Sequence, residues 1–415
     1  MYTKQKLNLR IVILGGGFAG IHTYKSLPSW VRNCSHITLV DKKNHFLFTP
    51  LLPEVAGSTL GHHNVVLPLR DVISRDTHFI QSSVVSVDTK KQLVVLENQE
   101  LSYDILISGL GAKTHFFGTP GAEEYAYILK TLKDATVIRN RIIDLFERAS
   151  ATESEIEKKK LLTFMVIGAG PTGVELVTEV ADLIYGTLIK QHNNISIDDV
   201  SITVVNGGDQ ILGMFHEKMR QYAESVLVRN HIQVKNGVRV EEIKKGSAIT
   251  ADGQELYANT IIWTAGVTAN SLPCECGAFD VERGRIKVNE YLQALGTENV
   301  FVLGDMALYP TDDGRGLPMT AQIAKQQGEL TGKNIARLIK KQELKKFVYR
   351  EKGLLTSLGS GNAIAQVGPV RLHGVVAWLF WRFVYLYTFK SGKKRFKIMM
   401  DWFVGLFARK DTSLL

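Results

Sequence analysis

The chain has 415 residues, too many for one hydrophobic core, so two or three domains are expected. An apolar share of 45% is that of an ordinary globular protein, and no apolar run near the start leads into a small-residue cleavage site, which argues against a secretion signal. Three cysteines, Cys34, Cys274 and Cys276, make neither a disulfide framework nor a four-ligand metal set, and the formal charge of +9 needs a location before it implies a partner.

The first predicted elements are the most informative. Residues Leu9 to Leu14 form a short apolar strand, followed at once by Gly15-Gly16-Gly17-Phe18-Ala19-Gly20 and a helical stretch. A second strand, Ile37 to Val40, ends on Asp41. Strand, Gly-x-Gly-x-x-Gly, helix, strand and acid in this register are the fingerprint of a dinucleotide-binding βαβ unit. Gly15 allows the tight turn, Gly17 lets backbone approach a pyrophosphate, and Gly20 lets helix and strand pack closely. The helix N-terminus offers free N–H groups to the anion, and the Asp41 carboxylate can accept bonds from ribose hydroxyls.

Next, Phe46 to Glu54 (FLFTPLLPE) holds two prolines in an apolar run, which speaks against a regular helix or a central strand. Such a loop can press apolar atoms on a flat ring or simply cap the core. Phe79 to Val95 alternates like a hairpin, and Tyr103 to Gly111 reads as a buried strand running into glycines. Residues Glu123 to Lys160 read as helical, with a charged run at the end.

The opening pattern then repeats. Leu161 to Ile167 is followed by Gly168-Ala169-Gly170-Pro171-Thr172-Gly173, a helix from Val174 to Ile189 and a partner strand from Val200 to Val205. Two βαβ units imply two dinucleotides and electron transfer between them. The second partner strand ends on Asn206 in place of an acid, so discrimination against a 2′-phosphate is weaker, although no arginine stands beside it. NADH is expected, with NADPH as the competitor. Asn259 to Val267 repeats the strand-to-glycine pattern at Gly266, and Thr297 to Asp305 is a strand ending in Gly-Asp, whose carboxylate can reach a ribityl hydroxyl. A flavin is therefore expected, with its domain split by the second.

Taken together, the two glycine loops, Phe48-Thr49-Pro50-Leu51-Leu52-Pro53, Gly170-Pro171-Thr172-Gly173-Val174-Glu175 and Ala321-Gln322-Ile323-Ala324-Lys325-Gln326-Gln327-Gly328 resemble the type II NADH dehydrogenases, single-chain, non-proton-pumping NADH:quinone oxidoreductases. The resemblance spans nearly the whole chain and departs from the pattern at Asn206 and along the C-terminus. It implies an α/β fold of two Rossmann-type domains. The FAD domain would comprise residues 1–120 and 290–335, the NAD(P)H domain residues 121–289, and a membrane-anchoring segment residues 336–415. FAD would lie on Gly15, Gly17, Phe18, Ala19, Gly20, Asp41, Thr49, Pro50, Gly111, Asp305, Ala321 and Gln322. NADH would lie on Gly168, Gly170, Pro171, Thr172, Gly173, Glu175, Asn206 and Gly266.

Thr320 can cap a helix on which Gln322 and Gln326, four apart, share a face. Alone these glutamines would be a solvated face, whereas the resemblance implies that they line a quinone site beside the flavin ring. Amide donors suit a flat, neutral dicarbonyl. Glu175, read as lying in the first helical turn, is explained by dipole complementarity alone, and the resemblance implies a role near the nicotinamide or in proton relay. A sulfide-oxidising or ferredoxin reductase-like flavoenzyme shares the scaffold, but the former needs a cysteine pair near the flavin that is absent here. A non-enzymatic signalling flavoprotein would keep both folds.

The last predicted elements locate the charge. Between residues 370 and 410 nine basic residues face the single acid Asp401, a surplus of eight, interleaved with eleven aromatics. The apolar run Val375 to Phe389 is interrupted by Arg382 and falls short of the ~20 residues that span a bilayer. Phe396, Met399, Met400, Phe403 and Phe407 share one face. Basic residues beside an apolar face describe a helix lying on an anionic lipid bilayer; a homodimer interface is the rival, and the density of apolar residues disfavours nucleic acid. A peripheral membrane protein is expected, on the cytoplasmic face of the inner membrane in a bacterium, with the quinone reaching it from the lipid and no metal required.

Overall fold

The computed structural model describes residues 8–274, 279–389 and 391–414. Contacts divide the chain into two units, Met1–Leu47 with Val66–Lys113 and Val267–Arg350, and Phe48–Val65 with Thr114–Gly266 and Glu351–Leu415.

The first unit is built on a parallel sheet in the order Val300–Val302, Ile105–Ser108, Arg10–Leu14, His36–Asp41, His78–Gln81. Strands rich in Val, Ile and Leu with little alternation suit a sheet covered on both faces. The strand before the first glycine loop is central, with later strands added on both sides. Its carboxyl end is thus the switch point at which α/β sheets receive ligands. Helix Phe18–Ser26 follows that strand, and helix Ala321–Ile339 packs along it, far from it in sequence. A Cβ on Gly328 would stand 2.4 Å from the Ala19 carbonyl oxygen, and one on Gly332 would stand 2.6 Å from that of Thr23. Two glycines one helical turn apart let the backbones touch.

In the second unit the sheet order is Tyr127–Ile128, Thr260–Trp263, Thr163–Ile167, Ser201–Val205, Ile232–Lys235, all parallel. Again the strand before the glycine loop is central. An antiparallel sheet, Leu354–Ser357, Ala363–Val367 and Val370–His373, leads into helices Gly374–Thr388 and Gly392–Val404.

Four expectations change. Residues 123–160 are not one helix but a turn of helix at Ala122–Tyr125, a strand at Tyr127–Ile128, and helices Leu132–Ala151 and Glu155–Leu161. Of these pieces, the 20-residue helix Leu132–Ala151 carries a complete capping box, Thr131 with Asp134. The proline-containing run is helical after all, a 3₁₀ turn at Thr49–Leu51 and an α-helix at Leu52–Ala56. Pro53 lies in the first turn, where no N–H is needed. The hairpin is Val84–Asp88 with Leu93–Leu96, whereas His78–Gln81 joins the parallel sheet. The helix after the second glycine loop begins at Pro171 and runs to Leu183, then widens into a π turn at Ile184–Leu188.

Candidate functional site

Each glycine loop is shaped by contacts that only glycine permits. Gly15 has φ +97°, and its Cβ would fall 2.4 Å from the Gly109 carbonyl oxygen. A Cβ on Gly20 would lie 1.9 Å from the Gly15 oxygen, so this glycine sets the helix against the turn. Gly17 differs: a Cβ there meets nothing within 4 Å, leaving an open face at the start of helix Phe18–Ser26. That helix has no side-chain cap and no acid in its first turn. Its first N–H groups therefore have no capping side chain and no acid from the helix's own first turn, which fits the pyrophosphate of a dinucleotide.

Asp41 holds the loop, because Oδ2 accepts from Gly16 N at 2.6 Å and Oδ1 from Lys43 N at 2.8 Å. Phe18 packs edge-on against Phe46 at 5.0 Å, and Ala19 fills the space beside Gly109 and Gly304. Gly111 (φ +72°) and Gly304 (φ +66°) end their strands in left-handed turns, and Asp305 stands half-buried just beyond Gly304. Gly304 N donates to Gln327 Oε1 at 2.6 Å. Gln327, fully buried, thus clamps the Gly-Asp turn. Sequence reading picked its neighbours Gln322 and Gln326 and passed over it, although it is the glutamine on the face that carries Gly328.

Thr320 caps helix Ala321–Ile339 as expected, its hydroxyl accepting from Ile323 N at 3.3 Å. Ala321 and Gln322 open this helix, and Gln322 Oε1 accepts from the Tyr349 hydroxyl at 3.0 Å. Gln326 clasps the segment that follows the helix, donating to Arg350 O at 2.9 Å and accepting from Arg350 N at 3.1 Å. Thr49 and Pro50 sit in the 3₁₀ turn that introduces Glu54, grouped by their contacts with the second unit.

The second loop repeats the first. Gly168 has φ +106°, a Cβ on Gly173 would stand 1.9 Å from the Gly168 oxygen, and Gly170 is open within 4 Å. Helix Pro171–Leu183 starts with Pro171 and Thr172, again without a side-chain cap or an acid in the first turn. Glu175 is therefore the fifth helical residue, not a first-turn acid, and the dipole explanation for it lapses. It is 7% exposed, accepts from Ser357 N at 3.1 Å, and is pushed up to about 8 by burial. Asn206 uses its amide inside the loop, donating to Gly208 O at 2.9 Å and Asn236 Oδ1 at 3.0 Å. Gly266 approaches Phe117 so closely that a Cβ would stand 2.5 Å from its ring.

The C-terminal helices keep one face on the second unit and leave the other bare. Ala377, Trp378 and Trp381 are buried, as are Ile398 and Trp402. Val375, Val376, Leu379, Phe383 and Tyr387 are exposed on the first helix, and Phe396, Met399, Met400 and Phe403 on the second, followed by Phe407 at 80%. No helix among the described residues is long and apolar enough to cross a membrane. Not all the basic surplus faces outward. Arg382 lies over Trp378 at 3.6 Å and over Trp402 at 4.9 Å, Arg395 donates to Tyr387 O at 2.8 Å, and Lys410 pairs with Glu179 at 3.3 Å. Cys34 is a free thiol, and no group of His, Cys, Asp or Glu among the described residues could hold a metal. Cys276 and Lys390 lie outside the described residues.

The family model for pyridine nucleotide-disulphide oxidoreductases matches residues 9–328, and the model for the NDH2 C-terminal domain matches residues 352–411. The type II NADH:quinone oxidoreductase of Mycobacterium tuberculosis is 30% identical over 428 residues, covering 98% of this chain and 89% of that protein. The mitochondrial external NADH-ubiquinone oxidoreductase 2 of Saccharomyces cerevisiae is 31% identical over 460 residues, covering 97% and 82%. The solved structure of NDH2 from Plasmodium falciparum in complex with NADH superposes with a TM-score of 0.91 at 23% identity, covering 98% of this chain and all of that one.

Proposed function

This chain belongs to the type II NADH:quinone oxidoreductases of the pyridine nucleotide-disulphide oxidoreductase family, and from that premise we propose that it oxidises NADH and reduces a membrane quinone without pumping protons. The observation that carries this reading is the pair of uncapped, acid-free helix N-termini, one behind each glycine loop. One suits the pyrophosphate of FAD, held with Asp41 and Asp305, and the other that of NADH, held with Gly168, Gly170 and Gly173. When bound, the flavin supplies the redox chemistry, taking a hydride from NADH and passing two electrons to the quinone.

The chain's own groups orient and supply protons. Gln322 and Gln326 present amides at the start of their helix for the quinone carbonyls, exchanging their partners Tyr349 and Arg350 for the acceptor. Glu175, kept protonated by burial to about pH 8, is a proton donor near neutrality. NADH is preferred over NADPH, since no arginine adjoins Asn206 in sequence. The enzyme works as a homodimer and sits peripherally on anionic lipid through the bare faces of its last two helices, on the cytoplasmic side if the source is a bacterium. Nucleic acid is not a partner.

Two half-reactions test this. NADH should bleach the yellow holoenzyme, and a soluble quinone should restore the colour. Gln322→Ala with Gln326→Ala should raise the quinone KM several-fold and leave bleaching unchanged; equal damage to both steps removes the glutamines from the quinone site. Bleaching without reoxidation by any quinone overturns the function.

Lipid attachment has a separate test. Phe383→Glu with Phe403→Glu, both exposed, should leave NADH oxidation with soluble quinone intact and reduce sedimentation with anionic vesicles by at least tenfold. Unchanged sedimentation would place the lipid contact elsewhere.

A further inference from the structure

Within the second unit two carboxyls that the reading above does not use are buried together. Glu54, on helix Leu52–Ala56, and Glu179, on helix Pro171–Leu183, are each 4% exposed. Their helices meet at Gly57, where a Cβ would lie 2.7 Å from the Cβ, the carbonyl oxygen and a carboxyl oxygen of Glu179. Glu54 Oε2 accepts from Trp402 Nε1 at 2.8 Å, and Glu179 Oε2 accepts from Thr59 Oγ1 at 2.5 Å and Lys410 Nζ at 3.3 Å.

From helix Gly374–Thr388, Arg382 acts on both carboxylates and Tyr385 adjoins Glu54 and Glu175. From the helix of Glu179 itself come Glu175 and Asp182. Lys410 comes from the chain's last described stretch. Burial is the largest influence and pushes Glu54 up to about 8, and Glu179 is raised in the same direction by burial; each carboxylate opposes the other's ionisation, while Arg382 and Lys410 favour it. The indole N–H of Trp381, 1% exposed, faces Glu175 and Tyr385 and favours their ionised forms.

Lys410 is held in place by the fold. Its backbone N–H donates to Thr187 Oγ1 at 3.4 Å, in the π turn Ile184–Leu188. Beyond it, buried Arg139 donates to Asp411 O at 2.9 Å, Ser413 O at 2.7 Å and Ser58 Oγ at 2.7 Å. The lysine stem is mostly covered, with 14% of the side chain exposed. One buried arginine thus ties down both the turn after Glu54 and the strap that delivers the ammonium.

We propose that Glu54 and Glu179 share the proton that quinone reduction draws from solvent, and that Lys410 on the C-terminal strap governs how readily the pair gives it up. This rests on the NADH:quinone reading. NADH gives up two electrons and one hydrogen as hydride, and the quinol gains two electrons and two hydrogens, so one proton must be added per turnover. The singly protonated pair releases it toward the quinone and becomes a dianion matched by Arg382 and Lys410, then recovers a proton from water. Both glutamates are positioning residues here, acting through whatever group or water touches the quinone.

The pair makes opposite predictions for its two ends. Lys410→Gln removes one matching cation, so the proton is held to higher pH and the alkaline limb of quinone-driven flavin reoxidation moves up by about one unit. Glu179→Gln removes the like charge, so Glu54 ionises earlier and the limb moves down by a similar amount. Flavin reduction by NADH, measured on the same holoenzymes, is the control for folding. Infrared titration of the protonated carboxyl C=O stretch reads the pair without turnover, and Glu179→Gln should lose that band's contribution. Shifts in the same direction, or a pH-independent loss of rate in both variants, would overturn the proposal. A wild-type enzyme that quinone does not reoxidise overturns the functional reading instead, and the infrared titration still reports on the pair.

Discussion

Gly20→Ala should purify with flavin occupancy reduced at least tenfold and with a lower melting temperature. The added Cβ would stand 1.9 Å from the Gly15 carbonyl oxygen and 3.1 Å from Ile13 Cγ2. The closer obstacle is backbone, not the end of a flexible side chain, so helix Phe18–Ser26 must withdraw from the turn. Overpacking of this kind costs about 1–3 kcal/mol in the fold, and ~1.4 kcal/mol already corresponds to a tenfold change in an equilibrium. Withdrawal also carries the helix N-terminus away from the pyrophosphate, so binding suffers beyond the loss of stability. Gly17→Ala separates the two effects: its Cβ meets no protein atom within 4 Å. That variant should melt like the wild type without ligand and still bind flavin poorly, because the methyl group occupies space meant for the dinucleotide. Absorbance of bound flavin per protein and thermal unfolding of the apo forms measure both. Full flavin occupancy in Gly20→Ala would show that the loop does not hold the cofactor as described.

These glycines were legible because their demands are local. A positive φ at Gly15 and Gly168 and the close crossing at Gly20 and Gly173 follow from a turn a few residues long, flanked by apolar runs that mark the strands. The Thr320 cap was readable for the same reason. What escaped depends on partners remote in sequence. Pro171 starts its helix early enough to carry Glu175 past the first turn, where its environment is set by Ser357 and Trp381 rather than by the helix dipole. Nothing near Gln327 in sequence says that it binds Gly304 N, 23 residues upstream. Glu54, Glu179 and Lys410 come from three separate stretches, and only the packing of short helix Leu52–Ala56 through Gly57 brings the first two together. Periodicity announced the bare face of the last helices, but not that Arg382 turns inward between two tryptophans.

Buried carboxyls give this protein an unusual pH dependence of stability: it should become less stable as pH rises from about 5 to about 8. Glu54 and Glu175 both titrate near 8 in the folded protein against an unfolded value of 4.5. Between those values the folded chain holds protons that the unfolded chain has lost. The stabilising contribution is complete below the unfolded value and disappears as pH rises through the folded one. Each group contributes a slope of ~1.4 kcal/mol per pH unit within that window. The opposite behaviour belongs to carboxylates such as Asp104, held below its ordinary 3.8 by its hydrogen bonds to Arg10, and that contribution is lost only in more acid solution, outside this window. The melting temperature should therefore fall by several degrees between pH ~5 and ~8. Glu175→Gln, which cannot ionise and keeps an oxygen for Ser357 N, should make the slope shallower and leave the part due to Glu54 and Glu179. A melting temperature that is flat or rising across the window would mean that these carboxyls are ionised in the folded state. Above pH 8, where the wild type must bury the Glu175 charge or unfold, the variant should melt at the higher temperature of the two even if it turns over more slowly.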